Sequence, residues 1–124
     1  MKRQIKFRGK RLDNGEWCYG YYTYVNGTHT IYWENEDGAP WWADVDPKTI
    51  GQFSGLCDIH DHEIYEGDIV VCDRIPPEVV SFKDGRFVTI PEDKPYRDTG
   101  LIVSISSKSC AIIGNIYDEY ETAN

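Results

Sequence analysis

Seven consecutive residues, Cys57-Asp58-Ile59-His60-Asp61-His62-Glu63, gather a thiol, two imidazoles and three carboxylates. Such groups can hold a metal, and zinc sites draw their ligands from two separated pairs so that a tetrahedron can close. His60 and His62 share a face on an extended segment and supply half of such a site. The other half would have to come from Cys72, His29 or a neighbouring subunit. Cys57, His60 and His62 are therefore the metal candidates of the chain. The stretch also stands where a hairpin turn is expected, and turns are polar for solvation alone, so a plain turn is the preferred reading and no cofactor is expected. Cys57 beside His60 imitates a thiolate pair, but the five carboxylates from Asp58 to Asp68 raise a thiol pKa instead of lowering it.

A second candidate is Glu66-Gly67-Asp68, two carboxylates flanking a glycine ahead of an apolar run. Acid–base catalysis needs two carboxyls in unlike environments, so that one stays protonated near neutrality. Positions 66 and 68 share one face of a strand and the same exposure. The bland reading uses both residue types: Gly67 takes a positive φ at a corner, and Asp68 accepts backbone N–H groups there. Gly67 and Asp68 are read as a structural turn and no catalytic residue is assigned. A phosphate-binding glycine loop, a Ser-His-Asp set and a dinucleotide fingerprint are all missing from the sequence.

The elements that must position these residues are strands. Alternation with a period of two dominates, and no long stretch follows a 3.6-residue period. Ile5 and Phe7 alternate with polar neighbours, Asn14-Gly15 signals a type I′ turn, and 16–25 is a strand. Asn26-Gly27 turns the chain into 29–34, completing a three-stranded meander. Trp41–Val45 is a short return strand, and 49–53 is extended up to a turn at Ser54-Gly55. Ile64–Cys72 is the best single strand, rich in β-branched residues. Pro76-Pro77 breaks the pattern. A hairpin around Asp84-Gly85 follows, with Val80, Phe82 and Phe87 as core candidates, then a loop over 91–99. Leu101–Ile105 and Cys110–Tyr117 are the last two strands, and the tail 118–124 frays. Eight to ten short strands joined by turn residues describe an all-β sandwich or barrel.

Net charge is −8, but its distribution says more than its sum. Residues 1–11 hold six bases and no acid, whereas Leu12 to Pro47 holds seven acids and no Lys or Arg. A body this acidic repels phosphate backbones, so nucleic acid is not the expected partner, and only the N-terminal stretch could serve it. The longest apolar run, Ile69–Cys72, has four residues, far too few to span a membrane. With no apolar leader before them, Cys18, Cys57, Cys72 and Cys110 are expected as reduced thiols in a cytoplasmic protein.

Nine of the 17 aromatic residues fall between Trp17 and Trp42. In 16–24 they occupy both faces of one strand, whereas a half-solvated sheet would carry them on one. Single-strand-binding platforms interleave rings with Lys or Arg, but the charges between these rings are acids. Self-association is the better reading, since subunit interfaces are rich in Tyr and Trp. The expected interface is Trp17, Tyr19, Tyr21, Tyr22, Tyr24, Trp33, Trp41 and Trp42.

Five motifs, "IKFRGK", "TIGQFSGLCD" at 49–58, "EIYEGDIV" at 63–70, the "FKDGRF" hairpin at 82–87 and "IIGNIYD" at 112–118, together resemble the YopX family of phage and prophage proteins. The central block from Ile50 to Asp68 is the specific part. The "IHDH" of 59–62 and the loop 91–99 depart from the family pattern. The resemblance implies a largely β protein, with a region reminiscent of SH3-like barrels, that assembles into oligomers; it implies no activity. The resulting expectation is an N-terminal aromatic-rich antiparallel sheet over 1–47 and a small, partly open SH3-like barrel over 48–124. The protein would be phage- or prophage-derived and act by binding, as a homo-oligomer with protein partners. A nucleic-acid-binding small barrel using the basic N-terminal stretch is the alternative, and a metal-dependent hydrolase the second.

Overall fold

The computed structural model describes residues 4–72, 75–92 and 109–118. The described residues form ten β-strands and one 3₁₀ turn, with no α-helix among them. The chain divides into two compact units, Met1–Phe53 and Ser54–Asn124. The division falls after Phe53, not near Pro47, because residues 51 and 52 pair with the first strand and so stay with the first unit. No helix among the described residues is long and apolar enough to cross a membrane.

The first unit contains β1 (Phe7–Lys10), β2 (Trp17–Val25), β3 (Thr28–Glu34), β4 (Pro40–Asp44) and the start of β5 (Gly51–Cys57). Within it the antiparallel order is β4-β3-β2-β1-β5. The β2–β3 hairpin turns on Asn26 (φ 52°) and Gly27 (φ 82°), the two positive angles a type I′ turn demands. The β1–β2 connection differs from its expected type I′ form. Only Gly15 has a positive φ there, the Gly15 N–H donates to Arg11 O, and Arg11 N–H donates to Glu16 O, closing a longer loop.

This sheet curls so that the ends of β1 and β4 meet. Leu12 N–H donates to Asp44 O and Asp46 N–H to Lys10 O, around an isolated bridge between Arg11 and Val45. The curl encloses Cys18, Ile31, Ala43 and Val45, with Phe7, Tyr22, Trp33 and Ile50 packed around them. Close approach is what two glycines provide: a Cβ on Gly9 would press on Val45 at 3.0 Å, and one on Gly20 would run into the Tyr32 carbonyl. Asp46 caps the 3₁₀ turn Pro47–Thr49 by accepting the Lys48 N–H. Buried Thr49 ties that turn to β1, accepting from Lys10 N–H at 2.9 Å and donating to Asp46 O at 2.7 Å.

In the second unit the remainder of β5 pairs with β6 (Glu63–Tyr65). A second sheet follows the order β10 (Cys110–Asn115), β7 (Asp68–Cys72), β8 (Ile75–Lys83), β9 (Arg86–Pro91), antiparallel throughout. The described residues show no closed barrel. Ile64, Val70 and Val80 form the core, packed by Leu56, Phe87 and Ile112. Phe82, expected inside, is exposed and meets Phe87 edge-to-face across the hairpin, 4.9 Å between ring centres. The Asp84-Gly85 turn has φ of 55° and 81° as a type I′ turn requires.

Several boundaries differ from the sequence reading. Ser54-Gly55 does not end a strand: Gly55 takes φ 89° within β5, and Ser54 Oγ accepts the Leu56 N–H. The run 64–72 is split into β6 and β7 by the Glu66-Gly67 turn. Pro76 and Pro77 lie inside β8, next to a register shift in its pairing with β7, one of the few places where a missing N–H is tolerated. Cys72 and Cys110 form a disulfide instead of remaining thiols. They are direct cross-strand partners of β7 and β10, a proximity that 38 intervening positions conceal in the sequence. The expected strand 101–105 and most of the loop 91–99 and of the tail 118–124 lie outside the described residues.

Candidate functional site

Register fixes which rings share a surface. In the first unit Tyr21 stands opposite Tyr32, and Tyr32 opposite Trp42, so these three form one row across β2, β3 and β4. The next row, Tyr22, Ile31 and Ala43, lies on the other face and contributes to the core. The sheet therefore has an inner face closed by its own curl and an outer face bearing rings. Tyr21 is 67% exposed, Tyr32 41% and Trp42 58%. Tyr32 and Trp42 ring centres lie 6.4 Å apart, within the range of a favourable aromatic pair.

The eight aromatic residues expected at an interface divide by environment. Tyr19, Tyr21, Tyr24, Trp41 and Trp42 are exposed; Trp17, Tyr22 and Trp33 are half-buried. Arg8 lies over Trp17 at 4.4 Å and Lys10 at 5.6 Å from the ring centre, each a cation–π contact. Tyr22 packs near Phe7 and shares a 2.6 Å hydrogen bond with His29 Nδ1. Trp33 packs on the core cluster. Tyr32, the centre of the exposed row, was not among the eight. Its signal was the Asn26-Gly27 turn, which sets the β2–β3 register and thereby places residue 32 beside residue 21.

Acids border the row. Glu34 and Asp44, both exposed, fall on the same face two positions to either side along β3 and β4. Asp44 Oδ1 accepts from Thr30 Oγ1 at 3.1 Å. The basic stretch is largely engaged at home: Lys6 sits 5.4 Å from the centre of the Phe53 ring, and Arg11 forms a bidentate pair with Asp13 at 2.8 and 2.9 Å. That pairing holds the Asp13 carboxyl below its ordinary range. Burial pushes the Cys18 thiol up, away from a reactive thiolate.

In the second unit, the 57–63 stretch is organised by Asp58. Its carboxylate is buried, and Oδ1 accepts the N–H groups of His60 and His62 at 2.9 Å each. Oδ2 accepts the Ile112 N–H of β10 at 3.0 Å. Burial alone would raise this pKa, but the three backbone donors outweigh it and hold Asp58 below the ordinary carboxylate value, as hydrogen bonds to a charged form do. The turn is closed by Asp58 N–H to His62 O, and Asp61 takes φ 68°. His60 and His62 are exposed, 6.1 Å between ring centres, and Cys57 is half-buried. Among the described residues no three His, Cys, Asp or Glu side chains are grouped to hold a metal ion.

The Glu66-Gly67-Asp68 corner is likewise built from backbone contacts. Gly67 has φ 96°, donates its N–H to Val80 O and accepts the Ile116 N–H. Asp68 is buried, and its Oδ2 accepts the Tyr65 N–H at 2.7 Å. Tyr65 Oη in turn donates to Glu63 Oε1 at 2.9 Å. What both acidic motifs do in this geometry is hold turns. No curated protein matches the chain. The model of a family described as YopX protein matches residues 6–122, nearly the whole chain.

Proposed function

The chain belongs to the YopX family, and from that premise we propose that it is a phage- or prophage-encoded protein of the host cytoplasm that acts by binding, as a homo-oligomer with protein partners. The observation that carries this reading is the outer row Tyr21–Tyr32–Trp42. Three large rings stand side by side on adjacent strands with about half of their surface in water. Burying such rings is worth roughly 1.5–3 kcal/mol apiece, which makes the strip a strong candidate for coverage by protein. Acids beside the rings favour protein over phosphate as the covering material. Binding is favoured over catalysis because Asp58 and Asp68, the buried carboxylates of the two acidic motifs, hold backbone N–H groups.

Chromatography with in-line light scattering tests it. The wild-type chain should run at a multiple of 14.3 kDa, and Tyr21→Ser/Trp42→Ser should shift it toward one chain while keeping its β spectrum and cooperative melting. A wild-type protein that stays at the single-chain mass at every concentration refutes the proposal. Against the polynucleotide alternative, Arg8, Lys10 and Lys6 of the basic stretch lie on the protein's own rings.

A further inference from the structure

Resting on that oligomeric reading, we infer that the Tyr21–Tyr32–Trp42 strip of one copy takes the basic N-terminal segment, residues 1–5, of a second copy. The chemistry of the strip asks for a cation-bearing chain. Trp and Tyr faces attract ammonium and guanidinium groups, and Glu34 and Asp44 stand on the same face to pair with them. Two such strips placed face to face would instead bring like acids together, so a symmetric strip-on-strip contact is disfavoured.

The sequence contains one block of the required kind. Residues 1–11 hold six Lys or Arg and no acid, and the next 36 residues hold no Lys or Arg. Four of the six are engaged within the first unit: Lys6 on Phe53, Arg8 and Lys10 on Trp17, Arg11 with Asp13. The other two, Lys2 and Arg3, lie outside the described residues, which begin with exposed Gln4 and with Ile5, 55% exposed. Ile5 supplies an apolar side chain to cover a ring between the charges.

Length and edge agree with this occupant. β4 has β3 as its neighbour on one side; on the other, Asp44 O already accepts the Leu12 N–H, and the edge is open over Pro40–Ala43 among the described residues. Those four residues of strand span about 13 Å, within the reach of about 17 Å that five residues of extended chain provide. An incoming segment can therefore run along β4 as an added strand, its backbone satisfying the edge and its cations reaching the strip. Because donor segment and acceptor strip are different parts of the surface, two copies can exchange segments about a two-fold axis or join head-to-tail. Within one copy, Gln4 and Lys6 line a cleft with Tyr21, Trp33 and Glu34, so docking of a chain's own segment is the competing arrangement.

Charge exchange on the full chain decides between them. Lys2→Glu/Arg3→Glu removes the donor and Glu34→Lys/Asp44→Lys removes the acceptor; all four positions lie on the surface or ahead of β1, and melting curves monitor the fold. Each variant alone should self-associate on the order of 30-fold more weakly, or worse, from the loss of two cation contacts. An equimolar mixture should recover a two-chain species, since one variant keeps its strip and the other its segment. Lys2→Gln/Arg3→Gln should give a milder loss, and wild-type assembly should weaken with salt. Both variants assembling as the wild type does would overturn the inference while leaving the oligomer reading intact. Weak variants whose mixture fails to recover would show that the segment docks on its own strip and would also overturn it. A wild type that never associates removes both readings.

Discussion

Replacing Asp58 by Ala should strip three backbone donors of their acceptor at once. The N–H groups of His60 and His62 lie in an exposed turn and can find water, so each loses roughly 0.5–1 kcal/mol. The Ile112 N–H lies in half-buried β10, and leaving it unsatisfied costs about 1–3 kcal/mol. Together these give a loss of about 2–5 kcal/mol, or on the order of 10–30 °C in melting temperature for a unit of this size. Asp58→Asn keeps one acceptor oxygen and should lose about half as much. The pH dependence has a defined sign. The folded pKa of Asp58 lies below its ordinary value, so its stabilisation is complete above about pH 4 and is lost as pH falls through the folded pKa. The gap between wild type and Asp58→Asn should be flat from neutrality to about pH 4 and narrow below it. Urea melts followed by far-UV circular dichroism measure the loss, and amide exchange at Ile112 and His62 localises it. Tryptophan fluorescence reads the other unit, since Trp17, Trp33, Trp41 and Trp42 all lie there. A loss under about 0.5 kcal/mol in Asp58→Ala, with unchanged exchange at Ile112, would refute the assignment of Asp58 as the tie between turn and strand.

Gly20→Ala places a methyl against the Tyr32 carbonyl and should destabilise the first unit by about 2–4 kcal/mol in urea melts. Gly15→Ala, whose cost is the positive φ alone because no atom lies within 4 Å of the added methyl, should lose only about 1 kcal/mol. Reducing Cys72–Cys110 opens a 38-residue separation and should lower stability by up to about 4 kcal/mol, seen as a melting shift with dithiothreitol that the Cys72→Ala/Cys110→Ala variant lacks. Fluorescence polarisation with labelled single-stranded DNA and RNA should show no saturable binding at low salt; a steep salt-dependent affinity would instead support the nucleic-acid reading.

Turns were the most legible part of the fold. Asn26-Gly27 and Asp84-Gly85 announce their geometry because few other residue pairs accept two successive positive φ angles. Asn14-Gly15 has the same letters and a different outcome, because Arg11 and Glu16 close the hairpin further out and Asn14 turns its side chain to the Glu16 N–H. Local chemistry proposes a turn, and the register of the flanking strands selects its type. The candidate surface was legible as a class of residue but not as a place. Alternation separates Tyr21 from Tyr22, but not half-buried Tyr22, which stands opposite core Ile31, from the exposed Tyr24 two positions on, which stands opposite His29. Only pairing across strands does that. In the sequence Asp58 is one polar turn residue among several, since its distinguishing partner, Ile112, lies 54 positions away.

That separation bears on how the protein is made. β7 borders both β8 and β10, and β10 begins 38 positions after the last residue of β7. A chain emerging from the ribosome completes the first unit's strands early, then presents β7 with one flank open until its latecomer is synthesised. During that interval Ile69, Val70 and Val71 form an unsealed β-branched margin of the kind that recruits foreign strands. Stalled or clipped translation products ending before residue 110 should therefore be the sticky species, and the yield of native protein should depend on the pace of translation as well as on the stability of the finished fold.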